Sequence, residues 1–260
     1  MKFPVSLLLI FACNAAAQDA LPKLELGASL FALSTPDYPG AESDSSYLIP
    51  IPYIKYRGDR LRVGDGVQGM FVETPDLLIT LSGNASLPPD EDVSEREGMD
   101  DLDPILEVGP SVNYRFYRLR DSAWWVDLPY RFAYTLDSDL EHIGQVFNPR
   151  LTWRKPVRRL GQWKLSFNIG PLFANDEFNE YFYSVDAGEA TADRPAYDAD
   201  GGFNGWRTEF TYSKRYGKYW LGGFFRYDNL SGPEIDDSPL VLEEEAWVTG
   251  IALGYVFHER

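Results

Sequence analysis

Cysteine is almost missing from this chain. Of 260 residues only Cys13 is one, so no disulfide framework can form and the fold must rest on packing and hydrogen bonds. Histidine is nearly as scarce, with two residues, which leaves little material for a histidine-based metal centre or proton relay. Basic residues are the minority charge, 24 Lys and Arg against 40 Asp and Glu, a net of −16. Nucleic-acid binding depends on basic patches, so a chain this acidic argues against that partner. No internal run approaches the roughly 18 consecutive apolar residues of a membrane-spanning helix.

What the chain does have is aromatic content, 15%, distributed in twos. From Trp124 to Tyr134 every second residue (Trp124, Val126, Leu128, Tyr130, Phe132, Tyr134) is apolar or aromatic. The intervening set (Trp125, Asp127, Pro129, Arg131, Ala133, Thr135) is mixed and partly charged. Side chains alternate across a strand, so one face lies in an apolar medium and the other near water. A strand crossing a bilayer needs about 9–11 tilted residues, which this stretch supplies with aromatics at both ends. The last strand repeats the pattern. Trp247, Thr249, Ile251, Leu253, Tyr255 and Phe257 form one face and small residues from Ala246 to Val256 the other. The predicted fold class is all-β, an antiparallel transmembrane β-barrel in the outer membrane of a Gram-negative cell.

The first 17 residues read as a signal peptide. Lys2 is basic, Val5 to Ala12 are apolar, and Ala15-Ala16-Ala17 offers a cleavage site before Gln18. A competing reading makes Cys13 a lipidated first residue, which Phe11 two positions earlier fits poorly. The barrel domain is then residues 18–260. Long connections at 87–103, 175–204 and 230–244 alternate with short turns at 118–122, 156–161 and 214–218, as bacterial barrels place long loops outside and short turns in the periplasm. Before residue 87 the alternation keeps the Leu24 strand on the correct side only if 58–73 hides an extra crossing. That gives twelve strands, or ten if the first segment stays out of the barrel. The acidic, aperiodic stretch 87–103 reads as an exposed, solvated loop. Pro110, Pro129, Pro149 and Pro171 fall inside predicted strands. A closed wall has no edge to hide a missing ladder donor, so bulges are expected there.

Several short stretches together resemble one family. They are Tyr38-Pro39-Gly40, the run from Pro52 to Leu61, the run from Glu97 to Pro104, Val108-Gly109-Pro110, the run from Arg194 to Asp198, and Gly254-Tyr255-Val256-Phe257. In order, over residues 24–257, they resemble the MipA/OmpV family. The resemblance implies an outer-membrane barrel whose namesake is the MltA-interacting protein, a scaffold between a murein-degrading transglycosylase and a bifunctional penicillin-binding protein. Other members are described as antigens, adhesins or porin-like proteins. His258-Glu259-Arg260 depart from the pattern by following the aromatic residue on which such barrels usually stop.

Catalysis needs a nucleophile, a base and an orienting group within reach. His142 near Ser138, Asp139 and Glu141 is the one place where such a set can be drawn, and a rim histidine among polar residues is more often simply solvated. Asp198-Ala199-Asp200-Gly201 lacks the ligand and glycine spacing of a calcium loop. No catalytic residue, metal site or cofactor is therefore assigned. Charges that alternation directs inward form the candidate site: Glu107, Arg115, Asp127, Arg131, Arg150, Arg154, Lys164, Arg207, Glu209, Arg226 and Asp228. On the lipid face a central Arg or Lys would cost roughly 2–4 kcal/mol, so these belong inside the wall. They either pair across the lumen and fill it or line a narrow path for a small solute. Expected partners are outer-membrane lipid and lipopolysaccharide. The family resemblance adds a periplasmic lytic transglycosylase and a penicillin-binding protein.

Overall fold

The computed structural model describes residues 21–260 except 65–66, 88–92 and 137–139. The signal-peptide reading of residues 1–17 falls outside the described residues. Thirteen strands follow one another up and down: β1 Leu24–Pro36, β2 Asp44–Arg57, β3 Leu61–Val63, β4 Val67–Glu73, β5 Leu77–Ser86, β6 Ile105–Arg118, β7 Ala123–Thr135, β8 His142–Phe147, β9 Arg150–Lys155, β10 Trp163–Ala174, β11 Gly202–Tyr216, β12 Tyr219–Asn229 and β13 Glu245–Glu259. Both β8 and β9 pair with β7 on one side and β10 on the other, so they are two halves of one stave. Twelve antiparallel staves result, and the pairing of β13 with β1 closes the ring. The extra crossing within 58–73 is the short hairpin β3–β4.

Alternation explains the wall. Val126, Leu128 and Tyr130 point outward and are exposed, while Trp125, Asp127 and Ala133 between them are buried. On β13, Trp247, Ile251, Leu253 and Phe257 are exposed and Ala246, Val248, Ala252 and Val256 are buried. A closed wall turns every strand's outer face to lipid, so the exposed apolar side chains are the membrane surface. Aromatic side chains gather near the strand ends, as interface belts do. Trp124 lies opposite Trp153 and Tyr219 opposite Tyr255 towards the short turns, with Tyr227 opposite Trp247 at the other end.

The prolines behave differently from expectation. None of Pro110, Pro129, Pro149 and Pro171 coincides with a register slip; the slips fall elsewhere, such as Arg115/Tyr117 and Leu172/Phe173. Instead the ladder skips rungs and resumes in the same register. Val108 pairs with Phe132 and Ser111 with Pro129, leaving the rungs between them unpaired. The stave formed by β8 and β9 is interrupted at Asn148-Pro149, where the Asn148 carboxamide donates to Pro171 O at 2.7 Å. A missing N–H removes one bond without adding a residue, so the strand has no reason to slip. Glycine next to two of these prolines lets neighbouring backbones close in. A Cβ on Gly109 would sit 2.0 Å from Tyr130 O, and one on Gly170 2.0 Å from Pro149 O.

The long connections also depart from expectation. Rather than solvated loops, 37–43, 93–104, 175–201 and 230–244 fold together over one end of the barrel. Their buried core contains Tyr38, Leu102, Phe182, Tyr183, Ile235 and Leu240. A helix, α1, spans Asp176–Tyr183. Asn175 caps its start by accepting from Phe178 N–H (3.4 Å), and Asp176 and Glu177 lie in its first turn, where carboxylates suit the helix dipole. Acidic composition hid this cap, because its apolar residues are spread over four separate segments and show no period.

Candidate functional site

Most staves send polar or charged side chains into the lumen, and the structure sorts the charges into layers. In the layer nearer the cap, Arg207 grips Asp228 with two 2.7 Å hydrogen bonds. Arg226 approaches the same carboxylate at 3.3 Å. Arg207 reaches Asp228 from the adjacent strand, where the β11–β12 ladder pairs the two directly, and Arg226 stands two residues before Asp228 on β12 itself. Across the lumen Arg131 lies 3.4 Å from Glu107, to which Asn84 also donates. Glu209 accepts from the Asn168 carboxamide at 3.2 Å, one pair along the β10–β11 ladder.

A second layer centres on Asp127, 1% exposed along its side chain. Arg154 and the Thr152 hydroxyl each donate to its Oδ2 at 2.6 Å, and Arg150 lies 3.9 Å away. Arg154 also stacks on Trp125, 5.0 Å from the ring centroid, and Arg115 covers the same ring at 5.2 Å. Arg115 itself sits at the rim beside the short turns, paired with Asp76 at 3.0 Å. Lys164 faces the lumen at the same end as Lys55.

The third cluster was not singled out from the sequence. Glu25, 1% exposed, accepts from Tyr53 (3.2 Å) and pairs with Arg57 (2.6 Å) and with Arg215, which also reaches Glu259 at 3.1 Å. It joins β1, β2, β11 and β13 beside the chain termini. Glu25 alternates with Leu24 and Leu26 in LELGASLFAL, so the reasoning that directs Glu107 inward applies to it equally. Around this cluster opens a pocket of about 470 Å³ whose lining carries Lys55, Arg57, Arg62, Lys164, Lys214 and Arg215 against Glu25 and Asp59. A basic mouth on an acidic protein is a local feature that net charge conceals.

The opposite mouth is shut. Tyr38 donates from its hydroxyl to Leu240 O at 2.7 Å, and Gly40 O accepts from Leu242 and Glu243 N–H. Arg194 donates to Glu95 O (2.8 Å), Glu97 O (3.0 Å) and Glu189 O (2.8 Å), tying two long loops together. Burial in this cap raises the hydroxyl pKa of Tyr38 and Tyr183 and lowers that of the Arg96 guanidinium.

His142 meets Glu177 at 3.3 Å through Nδ1 and packs edge-on against Tyr134. Of the other members of the set drawn from the sequence, Ser138 and Asp139 lie outside the described residues, and Glu141 is tied through its main chain to Thr135. Among the described residues no group of three or more metal-ligating side chains is assembled.

The family model of MltA-interacting protein MipA matches residues 26–257. This chain belongs to the MipA family. Of the MipA-family stretches, Tyr38–Gly40, Glu97–Pro104 and Arg194–Asp198 fall in the cap, the Pro52–Leu61 run lines the basic mouth through Tyr53, Lys55 and Arg57, and Val108–Pro110 and Gly254–Phe257 lie in the wall strands β6 and β13. No curated protein matches the chain. Among solved structures, an outer membrane channel from Pseudomonas putida F1 is similar at 15% identity and a TM-score of 0.44, over 94% of this chain and 99% of that one. The outer membrane protein OprG from Pseudomonas aeruginosa follows at 9% identity and a TM-score of 0.27, over 93% and 99%. Together the family and the strand topology make this MipA-family protein an outer-membrane β-barrel.

Proposed function

We propose that the protein is a non-enzymatic outer-membrane anchor that presents its basic periplasmic mouth to a protein of murein processing. The observation that supports this reading most is the asymmetry of the two ends. One mouth is packed shut by Tyr38, Phe182, Tyr183, Ile235 and Leu240, while the other opens into a pocket carrying six Lys and Arg side chains. Between them, the Arg207–Asp228 and Arg154–Asp127 pairs project into the lumen from neighbouring strands. A path for a polar solute would have to open the buried core of the cap and pass both layers of paired charge. The family's namesake interacts with a murein transglycosylase, and a transglycosylase or a penicillin-binding protein is the kind of partner this surface would hold.

Two measurements on the full-length chain test this. Photo-crosslinking from the short turns, at Arg159 or Lys218, should capture a murein-processing enzyme in cells. The purified barrel should leave a planar bilayer electrically silent. Defined, stable current steps from the unmodified protein would sink the anchor reading in favour of a narrow channel.

A further inference from the structure

The ring of staves is closed near the short turns but not along its whole height. Strand β2 pairs with β1 from end to end, yet on its other side it meets β3 only at Tyr56 and Arg57. Strand β5 pairs with β4 only as far as Ser82. Among the described residues, no ladder joins residues 44–55 of β2 to residues 83–86 of β5. A three-residue stave, β3, stands between the fourteen-residue β2 and the seven-residue β4. The hairpin it forms ends at Val63–Val67, leaving a break in the half of the wall nearer the cap.

Main-chain polarity at this break is telling. Arg57 N–H donates to Lys23 O, and the β1–β2 register runs without a slip. Odd-numbered residues of β2 therefore turn their main chain to β1 and even-numbered ones turn theirs to the break. Pro50 and Pro52 are both even. The two prolines stand where an N–H would otherwise project unpaired into hydrocarbon, where each such group costs several kcal/mol. They also take away two of the donors this edge could offer a strand of a second copy, which disfavours a dimer seam.

A cavity lies behind the break. Its volume is about 500 Å³, within the range of small-molecule sites. Phe31, Ile49, Phe224 and Val248 supply apolar lining, and Arg207 and Arg226 line it together with Asp228 and Glu107. The lining includes Asn84 and Ser86, which face the lumen, and also Ala85, which faces outward. On the other lip the adjoining chamber is lined by inward Ile51 and Tyr53 and by outward Pro52 and Ile54. Surfaces from both sides of β5 thus border the first chamber, and surfaces from both sides of β2 border the second. Ile51 is 37% exposed although it points inward.

We propose that this break is a lateral portal through which a single-chain amphiphile from the outer leaflet enters the apolar chamber. Its chain lies against Phe31, Ile49, Phe224 and Val248, and its polar head meets the paired charges Arg226 and Asp228. Binding here is independent of the anchor reading, since the periplasmic mouth plays no part in it and the cap, whose Tyr38, Leu102 and Phe182 roof the chamber, stays shut in both.

The test uses the full chain in lipid nanodiscs, titrated with an eleven-carbon dansyl fatty acid. Saturable binding at about one probe per barrel is expected, with Val248→Trp weakening it about tenfold by filling the chamber. Ala246→Leu, a milder filling, should weaken it less, and Leu253→Ala on the lipid face should leave it unchanged. Resistance of folded barrels to unfolding in cold detergent gels verifies each variant. Bridging Ile49→Cys and Asn84→Cys with a bis-maleimide should slow uptake of probe supplied in the lipid. Binding no greater than that of empty nanodiscs, or equal in Val248→Trp, would overturn the site. Uptake unchanged by the bridge, or Ile49→Cys bridging between two copies, would overturn the portal.

Discussion

Replacing Asp228 with alanine removes one carboxylate and strands two guanidinium groups. Asp228 is 2% exposed and holds Arg207 through two 2.7 Å bonds and Arg226 at 3.3 Å. Removing one member of a buried charge set leaves the rest uncompensated, which typically costs about 3–5 kcal/mol. Chambers lie on either side of this layer and admit water, so the lower end, about 3 kcal/mol, is expected. Asp228→Asn keeps an acceptor and should cost less. Changing the whole set together, Arg207→Met with Arg226→Met and Asp228→Leu, should recover much of the loss, because no charge is then left unpaired. Equilibrium urea unfolding of the barrel in phospholipid vesicles, followed by tryptophan fluorescence, reads the differences. A loss below about 1 kcal/mol for Asp228→Ala would refute the reasoning, since that is the range of solvent-screened surface pairs.

Gly109→Ala and Gly170→Ala should each destabilise the barrel by about 2–4 kcal/mol in the same assay, because the new Cβ meets a backbone oxygen rather than a movable side chain. Arg194→Ala should loosen the cap while leaving the wall intact. Protease should then cleave within 175–201 at least several-fold faster, with no change in far-ultraviolet circular dichroism, since three charge-assisted bonds to Glu95, Glu97 and Glu189 carbonyls are lost. The cap should also be alkali-sensitive. Burial raises the Tyr38 and Tyr183 hydroxyls above their ordinary value of 10.0, so the unfolded cap releases protons first and stability falls as pH rises beyond about 10. Protection of the cap against protease that is equal at pH 8 and pH 11 would contradict this.

Sequence alone determined the two-sided strands. Trp124 to Thr135 and Glu245 to Phe257 carry their lipid and lumen faces in the order of their residues, because strand geometry fixes which neighbours share a face before any partner is chosen. Up-and-down topology followed from alternating connection lengths, and the inward direction of Asp127, Arg207 and Asp228 from the same period. Only the tertiary structure decided which charges meet. Arg207 and Asp228 pair through the β11–β12 register, whereas Glu25 and Arg215 lie 190 residues apart and come together only when the ring closes. The cap was illegible for the same reason. Tyr38, Leu102, Tyr183 and Leu240 bury one another across four connections, and burial among segments so far apart leaves no periodic trace in any one of them. Two prolines in β2 were visible from the outset, but their meaning depends on which neighbour is missing, and that is a property of the assembled wall.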